Sequence, residues 1–325
     1  MTSPAKNPRP GAYRFTVTEK FSGLHLGQYL AEVSDDFSRS LAKHLIDIGG
    51  VHLGGRRMRK YSQPVSTGDK IEVFIDKQSL QSITLSEELI LYRDQDLIVL
   101  DKPAGMVTQP APSRYQGTVY AELQNILRDS GRKGHRPSIG MVQRLDRDTS
   151  GVMVFSIHKR AHKKMTEAFQ GRNIDKVYWA LVSGSPEDEQ GQFCSQLARR
   201  RSTNLVVSVA RGGKSAETRY RLLQTMDQAS LIEVQLITGR SHQIRAHFSE
   251  AGLPLLGDTA YGGPPMVNAL NIPRQMLHSR QLSFCHPVTG KEMMFTAPLP
   301  KDFSSVLHHV GGLQHAGDSL NEVDV

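Results

Sequence analysis

A chain of 325 residues exceeds what one hydrophobic core organises, so two domains are expected. Lys and Arg number 40 against 32 Asp and Glu, a net charge of +8, which favours a polyanionic partner, nucleic acid first. The composition argues against a membrane protein, a disulfide framework and a zinc site: no apolar run reaches spanning length, and the two cysteines, Cys194 and Cys285, lie far apart.

Residues 1–19 carry no apolar signal-peptide core and read as a flexible N-terminal arm. Residues 20–77 read as a compact unit. Leu26, Tyr29, Leu30 and Val33 recur at helical spacing, and Ser38 offers a cap to a second helix with the apolar face Leu41, Leu45, Ile46 and Ile48. Gly49-Gly50 ends that helix. Residues 51–53, a Gly54-Gly55 turn and residues 70–75 read as strands of a small sheet. Arg39, Lys43 and His44 on the second helix, with Arg56, Arg57, Arg59 and Lys60 on the following turn, form a candidate face for a phosphate backbone. A merely solvated edge is the competing reading, and the local charge density favours binding.

Residues 78–88 form a polar linker, after which residues 89–301 turn strand-rich. Residues 97–100, 177–182 and 231–237 read as strands, and 281–284 with 292–295 flank a turn and read as a hairpin. Helices are expected at 119–127, 161–170 and 242–250. Without regular βαβ alternation, the fold class is α+β with a mixed, largely antiparallel sheet. The tail, residues 302–325, is polar and weakly patterned and is expected to be partly disordered. Each cysteine has an apolar neighbour, Phe193 or Phe284, so both are expected to be packing residues in a reducing cytoplasm.

Four segments concentrate chemistry. Met141-Val-Gln-Arg-Leu-Asp-Arg-Asp-Thr-Ser-Gly151 sets carboxylates among arginines just before a tight turn, an arrangement that suits a poised active-site anion. Lys176-Val-Tyr178 opens a strand. Thr238-Gly-Arg-Ser-His-Gln-Ile-Arg-Ala-His247 runs from a strand end into a helix whose N-terminus, with Arg240, suits an anion. Gly257-Asp-Thr-Ala-Tyr-Gly262 is a loop. His242 and His247 do not have the spacing of a helical metal pair, and no third ligand stands near, so no metal is expected. Asp146 and Asp148 as a glycosidase pair ranks last. Such pairs need roughly 5 Å or more between carboxyls and distinct environments, usually from separate strands.

Phe37-Ser-Arg-Ser40, the Gly-Gly-Val-x-Leu segment at 49–53 and Val65-x-x-Gly-Asp-x-Ile71 resemble the S4 RNA-binding domain. Taken together, residues 143–151, 176–178 and 239–247 resemble, in order and spacing, the three motifs of the RluA-like pseudouridine synthases, which often carry an N-terminal S4 domain. Asp101-Lys-Pro-Ala-Gly105 and the loop at 257–262 agree with that pattern. The resemblance implies isomerisation of uridine in structured RNA, ribosomal RNA first and transfer RNA second, by a cytoplasmic enzyme needing no metal, nucleotide or redox cofactor. Monomer is the default state. It assigns Asp146 as the catalytic carboxylate, Arg245 as its basic partner, Tyr178 as the tyrosine beside the target base and Arg144 as the wedge that displaces the nucleotide. Arg240, His242, Gln243 and Ile244 fall in the substrate-binding motif, while Asp148 falls at a variable position.

These residue types suit the reaction. The N1–C1′ bond must break, the base must turn, and C5 must join C1′. A carboxylate can attack C1′ or remove the 2′ proton, and both routes stay open. Tyr178 offers a flat face to the detached uracil. Unstacking the target costs roughly a few kcal/mol, which a wedge and phosphate contacts offset. The chain departs from the family pattern at Gln143 and Gln109, where relatives carry His. Glutamine hydrogen-bonds but does not titrate, so proton transfer at either position is ruled out. A non-catalytic RNA-binding or ribosome-assembly protein is the other reading, and it draws support from those two departures alone.

Overall fold

The computed structural model describes residues 8–76, 83–129, 138–171 and 173–311. These fall into two compact units, and the division is not a single cut. The first unit comprises the residues up to 85 and those from 106 to 129; the second comprises 86–105 and everything described from 138 onward. This departs from a boundary at 78–88, because the segment after Gly105 returns to the first unit. Among the described residues no helix is long and apolar enough to cross a membrane.

In the first unit the chain forms β1 (Gly11–Thr16), α1 (Leu26–Val33), α2 (Arg39–Ile48), β2 (Val51–Leu53), β3 (Arg56–Arg57), β4 (Lys70–Ile75) and α3 (Val119–Asp129). Its sheet runs β1-β4-β2-β3, antiparallel throughout. The Ser38 hydroxyl accepts the Leu41 N–H at 3.1 Å and starts α2. Gly49, at φ 83°, ends it with a left-handed residue that only glycine adopts at little cost. Tyr29, Leu30, Phe37, Leu45, Ile46, Ile71 and Val73 close the core. The expectation of an arm over residues 1–19 is corrected by β1, whose Tyr13 and Phe15 pack against this core. Residues 1–7 lie outside the described residues. The returning segment is tied in by polar contacts. Tyr115 N–H donates to Ile48 O (2.6 Å), and Arg114 pairs with Asp76 (3.4 Å).

The second unit contains β5 (Ile90–Arg93), β6 (Leu97–Lys102), β7 (Gly140–Met141), β8 (Ser150–Ser156), α4 (Lys159–Gln170), β9 (Ile174–Ser183), β10 (Gln190–Arg199), β11 (Val206–Ser208), β12 (Lys214–Thr225), β13 (Ala229–Leu236), α5 (Gln243–Glu250), β14 (Met266–Val267), β15 (Leu270–Asn271), β16 (Leu277–Cys285), β17 (Glu292–Thr296) and α6 (Lys301–Gly311). One large sheet runs β11-β10-β12-β13-β9-β16-β8-β6-β5, with β17 on β16 and β7 on β8. Its β8–β16 pairing is parallel and the others are antiparallel, so the fold is mixed α/β with a mostly antiparallel sheet.

β8 is buried along its whole length because α4 packs Ala161 and Met165 against Val152 and Val154 in a common core. The expectation of an unpatterned tail from 302 is also corrected. Phe303, Val306, Leu307 and Val310 make one buried helical stripe that packs with Trp179, Leu181 and Leu231. Residues 312–325 lie outside the described residues. The two cysteines are exposed rather than packed, since successive residues of a strand face opposite sides.

Candidate active site

The loop between β7 and β8 carries Asp146 and is fixed by its backbone. Thr149 N–H donates to Asp146 O (3.1 Å), closing the turn. Gly151 then enters β8 at φ 111°, where an added Cβ would sit 2.2 Å from Ser279 O, so β16 approaches there against a bare backbone.

Two buried cations take the loop's carbonyls. Lys102, fully buried at the end of β6, donates from Nζ to Pro103 O (2.9 Å), Arg147 O (2.8 Å) and Thr149 O (2.8 Å). Burial pushes the lysine pKa down to about 7, while three carbonyl acceptors together require all three ammonium protons. Arg274 donates to Asp148 O (2.9 Å) and to Ser150 Oγ (3.3 Å), and forms a two-point pair with Asp302 (2.6 and 3.0 Å).

Ser150 Oγ in turn lies 2.9 Å from Nδ1 of His278, which has no exposed surface. Having accepted from Arg274, the hydroxyl directs its proton to Nδ1, and His278 is held neutral. Burial pushes it down to about 4. The unfolded chain takes up this proton near pH 6.5 and the folded one does not, so His278 stabilises the fold above that pH. That contribution is lost as pH falls from 6.5 through about 4, a loss of about 3 kcal/mol. Urea unfolding of wild type and His278→Asn across this window checks it: the gap between them narrows with acid, and a constant gap would overturn the assignment.

The C-terminal end of β13 and the first turn of α5 bring the second group. Arg245, 10% exposed at its side chain, donates from Nη1 to Asp146 Oδ2 (3.0 Å). Its other edge makes a two-point pair with Asp258, Nε to Oδ2 and Nη2 to Oδ1, both 2.7 Å, and Asp258 is 1% exposed. Burial opposes the guanidinium charge, but the hydrogen bonds and charge of Asp258, then those of Asp146, raise its pKa above the ordinary value. The face of Tyr261 lies 4.8 Å from the guanidinium. Asp146 keeps 24% side-chain exposure, so its carboxylate is the open end of the row Asp146–Arg245–Asp258.

The remaining motif residues divide by role. Arg144 is exposed and donates to Ser241 Oγ at 3.0 Å, joining the first motif to the third. Tyr178 on β9 sits opposite Ser279 of β16, and their side chains are hydrogen-bonded; burial pushes its hydroxyl up to about 12. Arg240 is exposed, with Nε on Ser215 O (2.9 Å). Gln243 and Ile244, expected at the substrate, are instead buried. Gln243 Oε1 accepts from Thr238 Oγ1 and Arg240 N–H while Nε2 donates to Glu217 O and Thr218 Oγ1, so its amide anchors α5 to β12. Gln143 Nε2 is buried with no partner among the described residues.

In the first unit Arg39, Lys43, Arg56, Arg59 and Lys60 are exposed. Arg57 turns inward to Gly49 O (2.6 Å) and Ala111 O (2.7 Å), and Arg59 lies 4.0 Å over the Tyr115 ring. Asp94, Asp96 and His286 in the second unit lie close enough to hold a metal, but their atoms are engaged. Asp94 accepts from Tyr92 and His286, Asp96 takes a two-point pair from Arg160, and His286 Nδ1 accepts the N–H groups of Val288 and Thr289. They pin the β16–β17 turn to the β5–β6 turn.

Sequence reasoning assigned no role to Asp258, Tyr261, Lys102 or Arg274. The first two lie in the quoted Gly257–Gly262 loop, and Lys102 in the Asp-Lys-Pro-Ala-Gly turn. Arg274 left no local signal, since the partners that tie it to the Asp146 loop and to α6, Asp148 O, Ser150 Oγ and the Asp302 carboxylate, lie 28 to 126 residues away.

Residues 96–250 match the family model described as RNA pseudouridylate synthase. An uncharacterized RNA pseudouridine synthase of Synechocystis is 37% identical over 90% of this chain and 90% of its own length. The chain belongs to the RNA pseudouridylate synthase family. Ribosomal large subunit pseudouridine synthase D of Nitrosomonas europaea is 32% identical, over 94% of this chain and 89% of its own. The solved structure of human RNA pseudouridylate synthase domain containing 4 superposes with a TM-score of 0.58 at 28% identity, covering 69% of this chain and 93% of that one. The protein is therefore an RNA pseudouridine synthase of the RluA family, an isomerase, and of the row Asp146–Arg245–Asp258 the first two residues lie within the matched residues.

Proposed function

We propose that this enzyme isomerises uridines of large-subunit ribosomal RNA, with Asp146 acting at the sugar. The observation that carries the reading is the row Asp146–Arg245–Asp258. Asp258 is buried and engaged at both oxygens with Arg245, so the guanidinium cannot swing away, and it holds one oxygen of Asp146, the carboxylate of the row that is open to a substrate. Tyr178 stacks on the detached uracil, and Arg144, exposed and tethered to Ser241, is the wedge. Arg240 meets the nucleotide at the start of α5, and His242, expected at the substrate, stands instead beside the Asp146 carboxylate. The first unit acts as an S4-like RNA-binding module through Arg39, Lys43, Arg56, Arg59 and Lys60. The enzyme works as a cytoplasmic monomer without metal or other cofactor.

The ribosomal target is supported by the relatives named for the large ribosomal subunit. Mapping pseudouridines across all RNAs with and without the gene tests it. Loss at one or a few large-subunit positions is expected, and loss confined to transfer RNA would overturn the target.

A further inference from the structure

His242 precedes α5 with φ 51° and ψ 21°, a left-handed conformation that residues other than glycine rarely adopt. Its side chain makes no capping hydrogen bond, so helix initiation does not explain the strained backbone. What that conformation does achieve is to aim the ring. Nδ1 lies 2.9 Å from the Tyr261 hydroxyl, and Nε2 lies 3.9 Å from Oδ1 of Asp146, the oxygen that Arg245 does not hold.

The tautomer follows from the neighbours. Tyr261 Oη accepts the backbone N–H of Val206 at 2.8 Å, a group that can only donate. The hydroxyl's own proton is then directed to His242 Nδ1, which serves as acceptor and carries no proton. A neutral imidazole so placed carries its proton on Nε2, facing the carboxylate.

We propose that His242 is a positioning residue for Asp146: its neutral ring, with the tautomer set by Tyr261, directs Nε2–H at Oδ1 while Arg245 holds Oδ2. The proposal rests on the reading of Asp146 as the catalytic carboxylate. Both oxygens of that carboxylate are then aimed, one by a cation and one by a neutral donor. A neutral donor fixes direction without placing a second full charge beside a group that must act on the sugar. The 3.9 Å gap exceeds a hydrogen bond, and contacts of this kind commonly tighten when substrate binds.

The surroundings favour the neutral ring. Burial pushes the His242 pKa below its ordinary value; Asp146 pulls upward, Arg245 and Arg199 push down with burial, and Asp258 pulls weakly up. The other polar face is Tyr261, which is itself buried.

Long-range ¹⁵N–¹H spectra of the histidine-labelled wild-type enzyme at pH 7 test the tautomer directly. A protonated Nε2 with a bare Nδ1 is expected; a protonated Nδ1 would overturn the proposal, whether or not the enzyme turns over. Tritium release from 5-tritiated uridine in RNA tests the consequence. His242→Ala should lower kcat about 100-fold, the lower end for losing one preorganised donor, with KM for RNA within about twofold. His242→Gln, whose amide can donate, should recover part of that loss. Tyr261→Phe frees Nδ1 to take a proton, so the acid limb of the kcat profile should move to higher pH. Wild-type kcat in His242→Ala beside an inactive Asp146→Asn overturns this inference alone. An active Asp146→Asn overturns the catalytic reading beneath it.

Discussion

Asp146→Asn enzyme binds structured RNA as tightly as wild type and releases no tritium from 5-tritiated uridine above background. The loss is expected to reach at least about 10⁴-fold, the upper end of what a single acid–base group contributes. Two features make the effect large and specific. Asparagine retains the side-chain shape, so the turn closed by Thr149 N–H on Asp146 O, a backbone contact, is unaffected. It also still accepts one hydrogen bond from Arg245 Nη1, which preserves local packing. What it lacks is the charge with which to attack C1′ or take the 2′ proton. Binding is measured by filter retention of the same RNA. Activity within tenfold of wild type would remove Asp146 from the chemistry.

Asp258→Ala is expected to destabilise the fold by about 3–5 kcal/mol and to reduce activity with it. Removing one partner of a buried pair strands the other charge, and that penalty dominates the measured loss. Asp258 and Arg245 meet these conditions, being 1% and 10% exposed at their side chains and joined by two 2.7 Å contacts. Arg245 then has Asp146 as its remaining carboxylate, and the geometry of the open oxygen drifts. Replacing both, as Asp258→Ala with Arg245→Met, should cost less than the sum of the single replacements, because no unpaired charge is left inside. Urea unfolding at constant slope, set out as a double-mutant cycle, measures the coupling. A single-variant loss below about 1 kcal/mol would show that the pair is solvated in solution.

The readable parts of the molecule are those whose signal is local. The α2 helix could be written from Ser38, its apolar spacing and Gly49, because a cap, a stripe and a left-handed stop all act within one element. The β16–β17 hairpin and β9 likewise followed from short apolar runs. β10 and β12 were not read as strands. Their alternation of exposed and half-buried residues is carried by Gln, Arg, Thr and Ser, and one side of each faces water. Helix α6 was missed although Phe303, Val306, Leu307 and Val310 keep helical spacing; the flanking His308, His309 and Gly311 diluted a stripe only four residues long. The inward turn of Arg57 and the burial of Gln243 were equally hidden. A charged or amide side chain on a turn reads as a surface group until its carbonyl partners are known.

The reaction class and the three motif segments are legible from residue types at fixed spacing, which persist whatever the fold does around them. Tertiary structure alone decided how the charges are shared. It placed Asp258 on the far edge of Arg245, bound Lys102 and Arg274 to the carbonyls of the Asp146 turn, and set Tyr261 behind His242. Each of these pairs residues 13 to 126 positions apart, or a side chain with a distant backbone carbonyl. Hydrogen-bond direction and burial are properties of the folded surroundings, so no periodicity or local motif encodes them.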